Sequence, residues 1–383
     1  MLHRVHRLVP NRKALRKAAS KSSNSVSEQI VMNALVRVLM VTSEWPTPEH
    51  PLDVPFLVQQ VDFLRRAGVE IEVFYFRGAR NPINYLKAWW TLRKKLDPRR
   101  YDVVHAQFGQ AGLLPWPKRL PVVVTFHGCE VLGIKGPDGR TTLLGKFLRK
   151  LCYIVARGAD AVIIVSNQMK KYLPPVPMNL LPTGVDLDSL RTIPREEARV
   201  MLGLPLEERL VLFVGNPESR RKRYYLAEQA VEILNHRMKA RLLLGWNMTH
   251  GDVLTLMQAC DAMVVASRQE GSPTVVKEAL ACNLPVVSVV VGDVAERLEG
   301  MEGCEICADE RPETIAAALE RSLKRGQRIN GREVMKTLDE KVLAQRLIGI
   351  YESVMRRPAN STGSDENRAC AVSTTTGPGR SLN

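Results

Sequence analysis

Short runs of β-branched residues alternate with longer helical patterns through most of this 383-residue chain. In the first half, strand-like runs such as VRVLMVT (36–42) and DAVIIVS (160–166) are separated by helical patterns such as PFLVQQVDFLRRAG (55–68). A repeated strand and helix predicts a parallel sheet with helices on both faces. After a Pro-rich passage the alternation begins again at LVLFVG (210–215). The sequence therefore predicts an α/β protein with two Rossmann-like domains, joined near residues 182–192.

Both ends of the chain differ in composition from the part between them. Residues 1–31 are rich in Ser, Lys and Arg without a sustained period, and residues 358–383 lack the apolar residues of a core. We predict a disordered basic extension over 1–31 and a disordered tail over 358–383. Between them we place a first domain over 32–185, a second over 186–340 and a closing helix over 341–357.

The formal net charge of the whole chain is +15, and about +9 of it remains when residues 1–31 and 358–383 are left out. Such a charge fits an anionic ligand or an anionic membrane surface. It fits nucleic acid less well, because aromatic residues are few and no nucleic-acid-binding motif is present. The longest apolar runs fall far short of the ~20 residues that span a bilayer, and no signal peptide is visible. Seven scattered cysteines favour reduced thiols and a cytoplasmic location.

Unusual polar residues collect where the predicted strands end. These segments read HAQFGQ (105–110), TFHGCE (125–130), VGNPESRRKR (214–223) and SRQEGSP (267–273). In open α/β sheets, ligands bind beyond the carboxyl ends of the strands, and a cleft between two such domains is the expected pocket. We therefore expect the chemistry of this chain at these segments.

The segment EGSPTVVKE (270–278) predicts a helix start suited to a phosphate group. Ser272 is a favourable N-cap and Pro273 a favourable first residue, while Thr274 and Val275 leave the first turn free of acidic side chains. The free N–H groups of that turn point at the space beside Gly271, where a diphosphate would fit.

Three further features of the sequence have both a functional and an ordinary interpretation. Glu278, more than one turn into the same helix, reaches the vicinal hydroxyls of a ribose, or else lies in solvent on an ordinary capped helix. The basic run Arg220–Arg223 stabilises a departing diphosphate, or else forms a solvated turn. His127 bonds a sugar hydroxyl across the cleft, or else is a packed structural histidine.

The ordered set TFHG, SNQMKKYLP, PTGVD, LFVGNPESRRKR, CDAMVVASRQEGSP and E-x7-E resembles family 4 glycosyltransferases, which are retaining, metal-independent enzymes of the GT-B fold. The resemblance extends over residues 36–356. It is most specific to a bacterial subgroup that makes teichuronic acid and other cell-surface polysaccharides.

The resemblance implies roles for particular residues of this chain. Glu278 would hold the nucleotide ribose, and Lys222 with a neighbouring arginine would hold the diphosphate. His127 and Glu270 would be the catalytic residues at the transferred sugar. The implied donor-binding residues are Gly215, Asn216, Arg221, Lys222, Arg223, Gly271, Ser272, Thr274, Val275 and Glu278.

This sequence departs from the family pattern at two places. The family often has Arg immediately after the glycine of the FVG strand, where this chain has Asn216, so the arginine must come from Arg220, Arg221 or Arg223. The first loop reads PEHPLDVPF (48–56) instead of a Gly-rich turn, which puts acceptor or phosphate contacts there in doubt.

Two motifs that elsewhere bind metals do not predict a metal here. DLD (186–188) matches a D-x-D motif but falls in the interdomain linker. CEIC (304–307) has no second cysteine pair, and a structural zinc needs four ligands. We expect neither a metal nor a cofactor.

The helical stretch 84–100 holds six Lys/Arg against one Asp. Tyr85, Trp89, Leu92 and Leu96 recur at helical spacing, which favours packing against the core. Trp90 and the basic face predict a further contact, with an anionic membrane. The protein would then work at the inner face of that membrane.

These observations predict an enzyme that moves a sugar from a nucleoside-diphosphate sugar to a glycan or lipid-linked acceptor in cell-surface polysaccharide synthesis. One alternative is a nucleotide-sugar 2-epimerase on the same fold, which needs no acceptor. Another is a catalytically silent partner in a polysaccharide assembly complex. Turnover of the donor by pure protein excludes the silent partner.

Overall fold

The computed structural model describes residues 36–49, 53–78, 81–136 and 140–356. The extension predicted for 1–31 and the tail predicted for 358–383 lie outside the described residues. Two parallel sheets, each with helices on both sides, make up the rest. The predicted α/β class with two Rossmann-like domains is confirmed.

The first sheet has six parallel strands in the order β2-β1-β3-β4-β5-β6. Every residue of the central strands β3 (VVHAQ) and β4 (VVVTF) is buried, including the polar side chains of His105, Gln107 and Thr125. The strands are β1 (Arg37–Thr42), β2 (Glu70–Tyr75), β3 (Val103–Gln107), β4 (Val122–Phe126), β5 (Ala161–Ile164) and β6 (Met178–Leu180). The helices are α1 (Pro55–Arg66), α2 (Pro82–Lys95), α3 (Cys129–Leu132) and α4 (Leu143–Gly158), with 3-10 turns at Ala111–Leu113 and Asn167–Tyr172.

The second sheet has five parallel strands in the order β11-β10-β9-β7-β8. These are β7 (Leu210–Val214), β8 (Arg241–Gly245), β9 (Ala262–Val265), β10 (Val286–Ser288) and β11 (Glu305–Ile306). The helices are α5 (Arg195–Met201), α6 (Tyr224–Asn235), α7 (His250–Ala259), α8 (Thr274–Ala281), α9 (Val294–Leu298), α10 (Pro312–Arg325), α11 (Gly331–Met335) and α12 (Glu340–Met355), with a 3-10 turn at Lys336–Leu338.

The last helix, α12, returns from the second domain to the first. It begins beside the interdomain linker, where the Glu340 N–H donates to the Val185 carbonyl and a Glu340 carboxyl oxygen accepts from the Gly184 N–H. It then packs against α1, and Tyr351 reaches β3. One hydrophobic cluster therefore continues from the α1 face of the first sheet through α12 into the second domain.

Helix α2 packs on the first domain through the predicted stripe. Leu92 and Leu96 are buried, Tyr85 packs edge-on against Phe76, and the Trp89 indole N–H donates to the Trp116 carbonyl at 2.8 Å. Trp90, by contrast, points away from the core and is 60% exposed. No helix in the described ranges is both long enough and apolar enough to cross a membrane.

Candidate active site

A cleft of about 1880 Å³ lies between the carboxyl ends of the two sheets. The loops after β3 and β4 form one wall, and the loops after β7 and β9 form the other. Of the predicted site residues, it is lined by His127, Arg221, Lys222, Glu270, Gly271, Ser272, Thr274 and Val275. Most of the segments singled out at the predicted strand ends therefore meet at one site.

The two walls touch at the loops that follow β4 and β9. A Cβ atom on Gly271 would lie 1.9 Å from the carbonyl oxygen of His127, so only glycine fits at this crossing. Two interdomain hydrogen bonds lie beside it, from Gln269 Nε2 to the Gly133 carbonyl and from Gln168 Nε2 to the Glu270 carbonyl, both 3.1 Å. Gly271 thus allows the two domains to approach each other closely. The sequence predicts a diphosphate, and not the other domain, beside this glycine.

Glu270 forms ion pairs with both predicted diphosphate ligands. Its carboxylate lies 2.5 Å from Arg221 NH1 and 2.8 Å from Lys222 Nζ. Burial alone would raise the pKa of the Glu270 carboxyl, but the charges of Lys222 and Arg221 hold it below its ordinary value. The site thus contains an ionised carboxylate and two cations within one small volume.

Arg223 was predicted to bind the donor, but it is not among the residues that line the cleft. It is 3% exposed, its Nε donates to the Ala266 carbonyl at 2.6 Å, and its guanidinium pairs with Glu310. Since it ties α6 to the loop after β9, its charge is unavailable to a ligand in the cleft. Arg220 lines the cleft instead, together with Arg221 and Lys222.

Gly215 and Asn216 lie beside the cleft without lining it. A Cβ atom on Gly215 would meet the aliphatic part of Lys222 at 3.4 Å, so this glycine leaves room for the lysine side chain. The Asn216 side-chain oxygen accepts from the Glu218 N–H at 2.9 Å and shapes the turn that carries the cations. Both residues support Lys222 and Arg221 through the local backbone.

Helix α8 begins at Thr274, with Pro273 at the N-cap position and no side-chain capping bond. Ser272 is therefore not the N-cap that the sequence predicts. Its buried hydroxyl instead donates to Asp293 at 2.8 Å. Fully buried Lys277 donates to the same hydroxyl at 2.5 Å and to Thr183 Oγ1 at 3.0 Å. The first turn of α8 holds no acidic residue, as expected.

Glu278 lies one turn further along α8 and contacts His250. The two side chains are 2.8 Å apart, and this hydrogen bond raises the pKa of the His250 imidazole. His250 is the first residue of α7, which follows the end of β8. The sequence interpretation missed this histidine because it stands outside the motifs that carry the resemblance.

His127 directly follows β4, and its ring packs between those of Phe56 and Phe108. Its Nε2 lies 2.7 Å from Gln107 Oε1, while the Gln107 amide nitrogen donates to Gln60. The histidine therefore donates from Nε2, and burial lowers its pKa to about 3, so the ring is neutral. Nδ1 is left as an acceptor, which suits a hydroxyl group in the cleft.

The hydrogen-bond chain behind His127 continues to the last helix of the protein. Gln107 Nε2 lies 3.4 Å from His105 Nε2, which also bonds Thr125 Oγ1 at 2.7 Å. His105 Nδ1 bonds the Tyr351 hydroxyl at 2.7 Å. His105 and Gln107 alternate along β3 and so face the same side, a signal in the predicted strand end that the sequence interpretation did not use.

The buried histidine should make stability depend on pH. Burial lowers the pKa of His105 to about 3 from an ordinary 6.5. Between these two pH values the unfolded chain binds a proton at His105 and the folded chain does not. Its contribution is complete above pH 6.5 and is lost as pH falls towards 3, at about 1.4 kcal/mol per pH unit. Between pH 7.5 and 5.5 the free energy of unfolding, measured with urea, should fall by about 1.4 kcal/mol less in total for His105→Gln than for the wild type. Equal slopes in the two proteins would contradict this assignment.

Glu130 is a second residue that the sequence interpretation missed. Its buried carboxylate accepts from the N–H groups of His127 and Gly128 at 2.7 and 3.0 Å. It holds the loop after β4 in the shape that brings His127 to the cleft. An acidic residue three positions after the histidine in TFHGCE was the available signal.

The DLD motif that was set aside as a metal site forms a turn, and the cysteines of CEIC are unpaired thiols. Asp186 accepts from the N–H groups of Asp188 and Ser189 at 3.0 Å, while Asp188 pairs with Lys341. The six cysteines in the described part of the chain are free thiols. Across the described ranges, no three His, Cys, Asp or Glu side chains come together as a group that could hold a metal ion.

Comparison with known structures defines the fold. Sucrose-phosphate synthase from Thermosynechococcus elongatus superposes with a TM-score of 0.67 at 19% identity, over 83% of this chain and 99% of that one. HepE from Anabaena, in complex with UDP-glucose, superposes with a TM-score of 0.61 at 16% identity, over 83% and 99%. This fold and its interdomain cleft are those of the GT-B glycosyltransferases.

Sequence comparison places the chain within that class. Residues 32–189 match Glycosyltransferase Family 4 and residues 209–325 match Glycosyl transferases group 1. The chain belongs to the group 1 glycosyltransferases and is an enzyme of the transferase class.

Two curated relatives differ in how much of their length is matched. The teichuronic acid biosynthesis glycosyltransferase TuaC of Bacillus subtilis, a putative assignment by its own description, is 27% identical over 68% of this chain and 82% of its own length. The D-inositol 3-phosphate glycosyltransferase of Mycobacterium tuberculosis is 26% identical over 51% of this chain. The alignment spans only 48% of that enzyme.

Proposed function

We propose that this enzyme transfers a sugar, with retention at the anomeric carbon, from a nucleoside-diphosphate sugar to a glycan or lipid-linked acceptor. The observation that carries the proposal is the pairing of Glu270 with Arg221 and Lys222 beside the start of α8, across the cleft from His127. TuaC supports a role in cell-surface polysaccharide synthesis, and HepE supports a nucleotide-sugar donor. The protein would work without a metal, in the cytoplasm and at the inner face of the membrane.

In this mechanism Lys222 and Arg221 bind the diphosphate and stabilise the charge that it gains as a leaving group. The bond between the anomeric carbon and the diphosphate oxygen breaks, and a bond from the acceptor oxygen forms on the same face. The acceptor proton passes to the departing diphosphate. His127 Nδ1 accepts a hydrogen bond from the donor sugar, and Glu270 lies beside the positive charge that develops at the anomeric carbon.

The test is turnover of candidate donors by the pure protein. We expect a nucleoside diphosphate to raise the unfolding temperature, since a ligand at about 100 times its dissociation constant stabilises by about 2.7 kcal/mol. The matching nucleotide sugar should be hydrolysed slowly, and NMR should show that the released sugar first has the anomeric configuration of the donor. The inverted anomer would overturn retention. A sugar altered at C2 would indicate the epimerase, and binding without turnover would indicate the silent partner.

Lys222→Ala should weaken binding of a nucleoside diphosphate by about tenfold and leave nucleoside binding unchanged, because the lost partner is a charge on phosphate. Glu278→Ala should weaken both ligands alike, since both contain ribose. Isothermal titration of the two variants at low and high salt measures this, and the Lys222 effect should shrink as salt rises.

The matched control is Lys324→Ala, which makes the same charge change at an ion pair with Glu320 on α10. It should leave both affinities unchanged. Equal losses for Lys222→Ala and Lys324→Ala would show that net charge, and not the cleft, governs binding.

A further inference from the structure

The cleft continues on the first-domain side into a groove between α2 and α4, here called the apolar trough. Its walls come from both helices and its floor from the 3-10 turn after β3. The trough is lined by Leu86, Leu113, Leu144, Phe147, Leu148 and Leu151. Aliphatic and aromatic side chains of this kind offer apolar contact and no hydrogen-bond partners.

Several of these side chains are exposed to water although they are large and apolar. Leu86 is 65% exposed, Phe147 is 63% exposed and Leu144 is 41% exposed. A contiguous exposed apolar surface beside a cleft marks a binding site, because it costs free energy to leave it in water. Leu86, Leu144 and Phe147 belong to neither hydrophobic core cluster and do not pack against one, so the core does not explain why they are apolar.

The two helices that form the trough are also strongly basic. Within α2 (PINYLKAWWTLRKK) and α4 (LLGKFLRKLCYIVARG), eight residues are Lys or Arg and none is Asp or Glu. None of the eight lines the trough, so they surround its occupant with positive charge without contacting it. Lys135, at the mouth of the cleft, adds a further cation. The occupant that complements these features has an apolar chain together with an anionic group.

We propose that the apolar trough binds the hydrocarbon chain of a lipid-phosphate-linked acceptor, whose hydroxyl-bearing sugar enters the cleft at His127. This inference rests on the proposed function, because it names the class of acceptor for that reaction. Transfer requires an acceptor hydroxyl beside the donor sugar, and the rest of the acceptor must leave the cleft along one wall. The wall of the second domain carries Arg221, Lys222 and Glu270, whereas the trough presents apolar side chains.

The probes are dodecyl phosphate and ethyl phosphate, which share the anionic group and differ in chain length. In isothermal titration below the micelle concentration, dodecyl phosphate should bind at least about tenfold more tightly than ethyl phosphate. Phe147→Ser should weaken dodecyl phosphate at least about fivefold and leave ethyl phosphate unchanged. Equal affinity for the two probes, or no effect of the variant, would overturn the proposal.

The matched control is Val200→Ser, because Val200 on α5 is 70% exposed and lies in the second domain away from the trough. It should bind both probes like the wild type. Titration with a nucleoside diphosphate should give the same affinity for the wild type and both variants. If neither the wild type nor the variants bind nucleotides, the proposed function is wrong. The two phosphate probes would still test the trough in that case.

Two other occupants are outcomes of the same test. Vesicles of phosphatidylcholine, alone or mixed with phosphatidylglycerol, report contact with a bilayer. If Phe147→Ser reduces sedimentation with vesicles but leaves dodecyl phosphate affinity unchanged, a membrane surface covers the trough and the acceptor site is refuted. If the wild type is a dimer and Phe147→Ser is a monomer by light scattering, a second copy covers it, which also refutes the proposal.

Discussion

Replacement of Glu270 by glutamine is expected to slow sugar transfer by about 100- to 1000-fold while tightening nucleoside diphosphate binding several-fold. In the structure the Glu270 carboxylate neutralises Arg221 and Lys222. Glutamine keeps the shape and removes the charge, so both cations become available to the diphosphate. The same change removes the negative charge beside the anomeric carbon, where positive charge develops in the transition state. Initial rates of donor turnover and isothermal titration measure the two effects.

The matched control is Glu218→Gln, which makes the same change at an exposed residue on the rim of the cleft. It should alter neither the rate nor the affinity by more than about twofold. A Glu270→Gln variant with wild-type turnover, or one that binds the diphosphate more weakly, would show that this carboxylate does not compete for the cations.

Replacement of Gly271 by alanine is expected to lower the free energy of unfolding by about 1–3 kcal/mol and to slow transfer as well. The new methyl group would lie 1.9 Å from the His127 carbonyl oxygen, so the loops after β4 and β9 must move apart. That movement separates His127 from Glu270 and its cations. Thermal unfolding and donor turnover report the two consequences.

Gly349→Ala provides the control for the added methyl group. Gly349 lies inside α12, and a Cβ atom there meets nothing within 4 Å. This variant should gain about 0.5–1 kcal/mol of stability, because alanine favours the helix more than glycine does. If Gly271→Ala were as stable and active as the wild type, the close crossing of the two loops would not exist in solution.

The fold could be predicted because its signal is local. Most strands are short apolar runs and the longer helices are periodic patterns, whereas the edge strands β6 (MNL) and β11 (EI) carry no such signal. The same local signal placed His127, Lys222 and Glu270 at strand ends that face one cleft. Hydrophobic periodicity and the motif spacing were sufficient for these residues.

The roles within the site depended on contacts that spacing does not encode. In the run Arg220–Arg223, four like charges stand together, and only contacts distant in sequence, with Ala266 and Glu310, distinguish buried Arg223 from its neighbours. Ser272 looks like an N-cap until the Asp293 carboxylate, 21 residues later, is seen to accept its hydroxyl. No local pattern distinguishes these outcomes.

The hydrogen bond between His105 and Tyr351 joins residues 246 positions apart. It has a consequence for the order in which the protein matures on the ribosome. All six strands of the first sheet have been synthesised once Leu180 is added. Until α12 leaves the exit tunnel, however, His105 in β3 lacks the Tyr351 hydroxyl, and α1 lacks the helix that packs against it. We therefore expect the first domain to reach its final packing only after α12 has been synthesised, which is after all five strands of the second sheet.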